Sequence, residues 1–228
     1  EDYELLAKGA TRSVARAKCN TPRSGDGRLS PGTVEVLIVP AVVDALQNGD
    51  LTKLHVDEGL ARVVTEHLDE HRLLTTVVRI GEPSYLGVKV RARIVVSELS
   101  RPEAVQARVV NVLRSFLCPL SLASDPEQQQ PMGDGWEGWP FGRNLYVAEI
   151  ASMIQRVPGV KHVLDVELST RPVVPSEERS PAEENSVPEE VLQPVEQKVV
   201  KIAPDTLLCS LQHEVVLVAL DEDEGQDA

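Results

Sequence analysis

Residues 135–168 read GWEGWPFGRNLYVAEIASMIQRVPGVKHVLDVEL, and the order of signals in this stretch decides the fold class. Both tryptophans of the chain, Trp136 and Trp139, stand at its start. Pro140 and Gly142 punctuate a turn, and Asn144 has the side chain to cap a helix behind it. Leu145, Val147, Ala148, Ile150, Ala151 and Ile154 then recur with a helical period of about 3.6 residues. Pro158 cannot continue a helix, and Gly159 frees the chain to reverse. Beyond them the pattern alternates. It predicts a half-buried strand with Val160, His162, Leu164, Val166 and Leu168 on one face and Lys161, Asp165 and Glu167 on the other.

The same reading extends outward. Over 86–98, Val88, Val90, Ala92, Ile94 and Val96 alternate with Lys89, Arg91 and Arg93, giving a strand with one core face and one basic face. Residues 101–117 form an amphipathic helix with Val105, Val109, Val112, Leu113 and Phe116 inward, ended before Pro119. A polar loop over 121–134 leads back to the opening stretch. Toward the N-terminus the pattern predicts a helix over 1–8, a strand over 12–19 and a loop over 20–32. A strand over 33–40 follows, then a short turn of helix over 42–47. A helix over 57–71 (Leu60, Val63, Val64, His67 and Leu68 inward) and a strand over 75–80 complete this part. The class is α+β. Two small α/β modules with mixed sheets occupy 1–83 and 84–169. A Pro/Glu-rich extended or disordered linker follows over 170–205, then a β-hairpin over 206–220 turning at 210–212. Residues 221–228 form an acidic tail.

Composition narrows the function. An apolar share of 42% in 228 residues supports sizeable cores, and 3% aromatics makes them Val/Leu/Ile/Ala cores. A net charge of −13 disfavours nucleic acid and anionic membrane surfaces as partners. Cys19, Cys118 and Cys209 are widely spaced, which reads as buried free thiols in a reducing compartment. No apolar run is long enough to span a bilayer. An opening at Glu1 rather than Met reads as a fragment, or the ordered part, of a longer protein.

Several segments resemble a known family. GWPFGR, LYVAEI and VPGVKHVLDVEL, with PSYLGVKVRARI, PGTVEVLIVP, EDYE and VARAKC before them, resemble the C-terminal part of the phage baseplate J-like family. The family pattern has Ser where Ala148 stands here. The resemblance covers most of residues 1–170. It implies a structural, non-enzymatic baseplate wedge component of a contractile phage tail or injection system, without metal or cofactor. It further implies a ring around the central spike and hub that transmits the trigger for sheath contraction. The implied partners are copies of itself, a second wedge protein, hub or spike proteins and sheath-proximal baseplate proteins. Assembly in the cytoplasm, without nucleic acid or membrane insertion, belongs to the same expectation.

The residues themselves leave other chemistry to weigh. His67-Leu68-Asp69-Glu70-His71 has the H-x-x-E-H spacing of a zinc hydrolase, but no third ligand or cleft is evident. Gly133-Asp134-Gly135-Trp136-Glu137-Gly138 matches G-x-G-x-x-G, yet no strand precedes it and no helix opens at its end. Trp136, Trp139, Phe141 and Arg143 form a candidate structural corner or subunit interface. Lys89, Arg91 and Arg93 read as a solvated strand face or a seat for an acidic partner. The linker and hairpin read as a connector within the chain or an arm to a neighbour's sheet edge. The competing functions are a metal-dependent hydrolase using His67, Glu70 and His71, and a cytosolic ligand-binding module with an apolar pocket.

Overall fold

The computed structural model describes residues 2–20, 32–97, 101–122, 132–133, 135–174 and 192–218. The loop tip at 21–31, most of the polar loop at 121–134, the middle of the linker and the acidic tail lie outside the described residues. The fold is α+β with mixed sheets, arranged as two compact units whose border in β4 falls between Tyr85 and Leu86. Among the described residues, no helix is long and apolar enough to cross a membrane.

The first unit starts with α1 (Asp2–Ala10), whose Asp2 and Glu4 suit the positive end of the helix dipole. Glu4 also accepts a hydrogen bond from the Cys19 amide at 2.8 Å and so fastens α1 to β1 (Val14–Asn20). β2 (Thr33–Pro40) runs antiparallel to β1 and parallel to β3 (Val77–Gly81). Parallel neighbours require a crossover. It is supplied by α2 (Val43–Gln47), a 3-10 turn over Thr52–Leu54 and α3 (Glu58–His71). Asp57 Oδ1 caps α3, accepting from the Leu60 amide at 2.7 Å. Leu60, Val64 and Leu68 then bury one helical stripe against Ala7, Val14, Val36 and Ile38. Val63, expected inside, is exposed, because the i, i+4 stripe leaves it on the solvent side.

The second unit is organised on β4 (Ser84–Val96). Its sheet order is β10-β4-β6-β7, with β9 also paired to β4. Val88, Val90, Ala92 and Ile94 are wholly buried. Against them pack Val105, Val109, Leu113 and Phe116 of α4 (Pro102–Phe116), and Ile150, Met153 and Ile154 of α5 (Val147–Gln155). The opposite face carries Lys89 and Arg91, which meet carboxylates of their own sheet. Arg91 lies 3.4 Å from Glu214 and 3.7 Å from Glu167, and Lys89 lies 3.9 Å from Glu214.

β6 (Val160–Val173) departs from strict alternation. His162 and Leu164 are exposed, whereas Val163 is half-buried against the core. Gln155 Nε2 donates to the Lys161 carbonyl at 3.1 Å and its Oε1 accepts from the Val163 amide at 3.2 Å, so this side chain satisfies backbone groups on that part of the strand. The change of facing falls between Val163 and Val166, where the Asp165 carboxylate accepts from the Val166 amide at 2.9 Å.

The linker and hairpin expectations need correction. Residues 170–173 belong to β6. β5 (Leu145–Tyr146) pairs with β8 (Val199–Val200), and β7 (Gln193–Pro194) pairs with β6. Val200 and Ile202 are buried and Val195 and Val199 half-buried, so apolar positions among the prolines help dock this segment. The C-terminal segment is not a hairpin. β9 (Thr206–Ser210) and β10 (Glu214–Leu217) lie in line along β4, and β10 runs parallel to it.

His213 fills the break between these two strands. Its Nδ1 accepts from the Val90 amide at 3.2 Å, which places the ring proton on Nε2, 2.8 Å from Ser210 Oγ. Ser210 Oγ in turn donates to the Leu211 carbonyl. Burial, and secondarily the charge of Arg114, lowers the His213 pKa to about 4. A histidine lowered by folding stabilises the protein fully above its unfolded value of about 6.5, and that contribution is lost as pH falls toward the folded value. Urea unfolding at pH 7 and pH 4.5 should therefore show a larger acid loss in wild type than in His213→Asn, by on the order of 2 kcal/mol. Asn keeps an acceptor for Val90 but does not titrate. Equal losses would show that the imidazole does not hold this joint.

Candidate functional site: the aromatic corner

The corner is built where the chain after α4 meets the turn before α5. Trp139 donates its amide to the Cys118 carbonyl at 2.7 Å, and Ser121 donates to the Glu137 carbonyl at 3.0 Å. Two extended segments are thereby laid side by side with Gly138 between the bonds. Gly138 has φ +113°, and a Cβ there would lie 2.5 Å from the Pro119 carbonyl oxygen. Only glycine fits that conformation and that approach.

This clamp delivers Trp139 into the core with no exposed surface. Phe116 meets it edge-on at 5.2 Å and stacks on Trp136 at 5.6 Å, while the two indoles are edge to face at 6.3 Å. The Trp139 indole donates Nε1–H to the Arg143 carbonyl at 3.0 Å. The Arg143 guanidinium then lies over the same ring, 4.8 Å from its centroid, and pairs with Glu149 at 2.5 Å. Glu149 also accepts from the Tyr146 amide at 3.4 Å, closing the first turn of α5. Asn144 does not cap this helix, as its sequence position suggested. Residues 145–146 first form β5, so the cap position moves to Tyr146, and Asn144 Oδ1 accepts from the Ile202 amide at 3.0 Å.

The structure thus brings Trp136, Trp139 and Arg143 together, with Phe141 half-buried on the same turn. Glu149 and Phe116 complete the corner. The Arg143–Glu149 ion pair was not read from the sequence, where Arg143 stood only as part of a structural corner or subunit interface. Trp139 is a core residue. Trp136, Phe141 and Arg143 keep partial exposure, and Tyr146 beside them is exposed. The arrangement is suited to rigid presentation of a surface. It offers no nucleophile or acid–base pair.

In the G-x-G-x-x-G match no helix opens at the third glycine, since α5 begins at Val147; Asp134 lies outside the described residues. The Cys118 and Cys209 thiols are buried and Cys19 is half-buried, and none of the three is in a disulfide. Burial pushes the Cys209 thiol well above its usual range, with Cys118 adding to the rise. His67, Glu70 and His71 share the end of α3, half-buried, exposed and exposed respectively.

No family model matches the chain, and no curated protein matches it. Among solved structures, it is similar to a chain of the cryo-EM structure of the anti-feeding prophage (AFP) baseplate, 6-fold symmetrised. The TM-score is 0.53 at 12% identity, over 95% of this chain and 37% of that one. The likeness is one of fold, and the chain spans little more than a third of that chain's length. The α+β arrangement is therefore baseplate-like.

Thermal or urea unfolding tests the corner. Trp139→Ala should cost about 3–5 kcal/mol through the cavity it leaves. Gly138→Ala should cost roughly 3 kcal/mol or more, because both backbone conformation and space oppose a Cβ. Arg143→Ala, removing a partly exposed pair and a cation–π contact, should cost only about 1 kcal/mol. A Gly138→Ala protein as stable as wild type would contradict the clamp.

Proposed function

We propose that this chain is the C-terminal part of a baseplate wedge protein of the baseplate J-like type, a non-enzymatic block in the ring around the spike and hub of a contractile tail or injection device. The observation that carries the reading is the likeness of fold to an AFP baseplate chain over 95% of the residues. The sequence segments around GWPFGR and VPGVKHVLDVEL support the same family. In this reading the chain associates with further copies, a second wedge protein and hub- or sheath-proximal proteins, and takes part in relaying the trigger for contraction.

A surface on the second unit fits such contacts. An open cleft of about 780 Å³ runs between the start of α5, β6 and residues 194–198. Tyr146 and Leu164 are exposed on it, 48% and 46% respectively, and Val195 and Pro194 form its other wall. Exposed apolar side chains ringed by Asp165, Glu196 and Lys198 suit the core and rim of a protein interface. A neighbouring baseplate subunit is its proposed occupant.

Cross-linking mass spectrometry on intact particles should join Lys161 and Lys198 to a second copy and to other baseplate proteins. Leu164→Asp should lower incorporation several-fold while changing the stability of the isolated chain by less than about 0.5 kcal/mol. Recovery of the chain only as a free monomer beside complete particles would overturn the assignment. Normal incorporation of Leu164→Asp would remove the cleft from it.

A further inference from the structure

His67, Glu70 and His71 stand at i, i+3 and i+4 at the C-terminal end of α3, so one face of its last turn presents all three. Their ligand atoms lie within 4.8 Å of one another, and the two imidazole centroids are 4.8 Å apart. A hydrogen bond fixes the chemistry of His71. Its Nδ1 lies 2.8 Å from the His67 carbonyl oxygen. A carbonyl only accepts, so Nδ1 of the neutral ring carries the proton and Nε2 keeps its lone pair. Metal-ligating histidines are held in this way, one nitrogen donating to a carbonyl and the other left to bind. The neighbouring carboxylate, Asp69, is engaged with Arg72 at 2.6 Å, which leaves Glu70 as the acid on this face.

We propose that His67, Glu70 and His71 form a surface site for a transition-metal dication of the zinc, nickel or copper class. Two imidazoles and one carboxylate suit these ions, whereas calcium and magnesium prefer oxygen alone. Metal–ligand bonds of about 2.0–2.2 Å require the three atoms to close by roughly 1.5 Å. Glu70 and His71 are exposed and have the rotamer freedom to do so. Water fills the remaining positions. Glu70 is itself a ligand here, so the site chelates and clips the last helical turn ahead of residues 72–76, and does not hydrolyse. The inference is independent of the baseplate assignment.

Isothermal titration of the untagged chain with zinc chloride and with nickel chloride tests it. Wild type should bind one equivalent at micromolar concentration, and zinc should raise its melting temperature. His71→Ala should weaken binding at least tenfold and abolish the thermal shift. Glu70→Gln should weaken it several-fold, and His162→Ala, an exposed histidine elsewhere, should bind as wild type. Absence of saturable heat, wild-type affinity in His71→Ala or Glu70→Gln, or equal binding of calcium would each overturn the site.

Discussion

The second unit depends on the alternation of β4. Val88, Val90, Ala92 and Ile94 bury one face completely, and a slip of one residue would turn Lys89, Arg91 and Arg93 into the core. The buried face gives α4 and α5 their common floor. The polar face fixes β6 and β10 on either side through Glu167 and Glu214. The aromatic corner is a consequence of that packing. Phe116 ends α4 in the core, and the Gly138 approach to Pro119 sets Trp139 against it.

Much of this was legible in the sequence because it is periodic. β2, β4, α3 and α4 each carry an uninterrupted apolar pattern, and each forms within a residue or two of where that pattern places it. The failures came where long-range partners replace local ones. Gln155 satisfies backbone groups of residues 161 and 163, and β6 changes its facing between Val163 and Val166, where Asp165 bonds the backbone. Val200 and Ile202 sit in a segment whose average composition is Pro/Glu-rich, and averaging conceals two buried side chains. The final segment has the residues of a hairpin, but β4 offers a longer parallel partner and His213 bridges the gap. Asn144 has the chemistry of a helix cap, and a partner 58 positions away, Ile202, claims it.

The corner was legible in identity but only partly in role. Two tryptophans, a phenylalanine and an arginine in one glycine-rich turn mark a site of close packing. Which indole lies inside depends on the backbone approach at Gly138, which no local pattern encodes. Its arginine acts inward, on Trp139 and Glu149. The exposed apolar surface is instead carried by Tyr146, which the helical pattern did not single out, and Leu164, which strand alternation had grouped with the inward residues.

Among the described residues, polar contacts hold the corner together while Tyr146 and Leu164 stay exposed beside it. The proposed function is a place in a baseplate. A density map of the intact particle from its native source tests it most directly. The account predicts symmetry-related copies of this α+β fold in the ring around the central spike, with the Tyr146–Leu164 cleft covered by a neighbouring subunit. A map in which the baseplate is fully accounted for without this chain would contradict it.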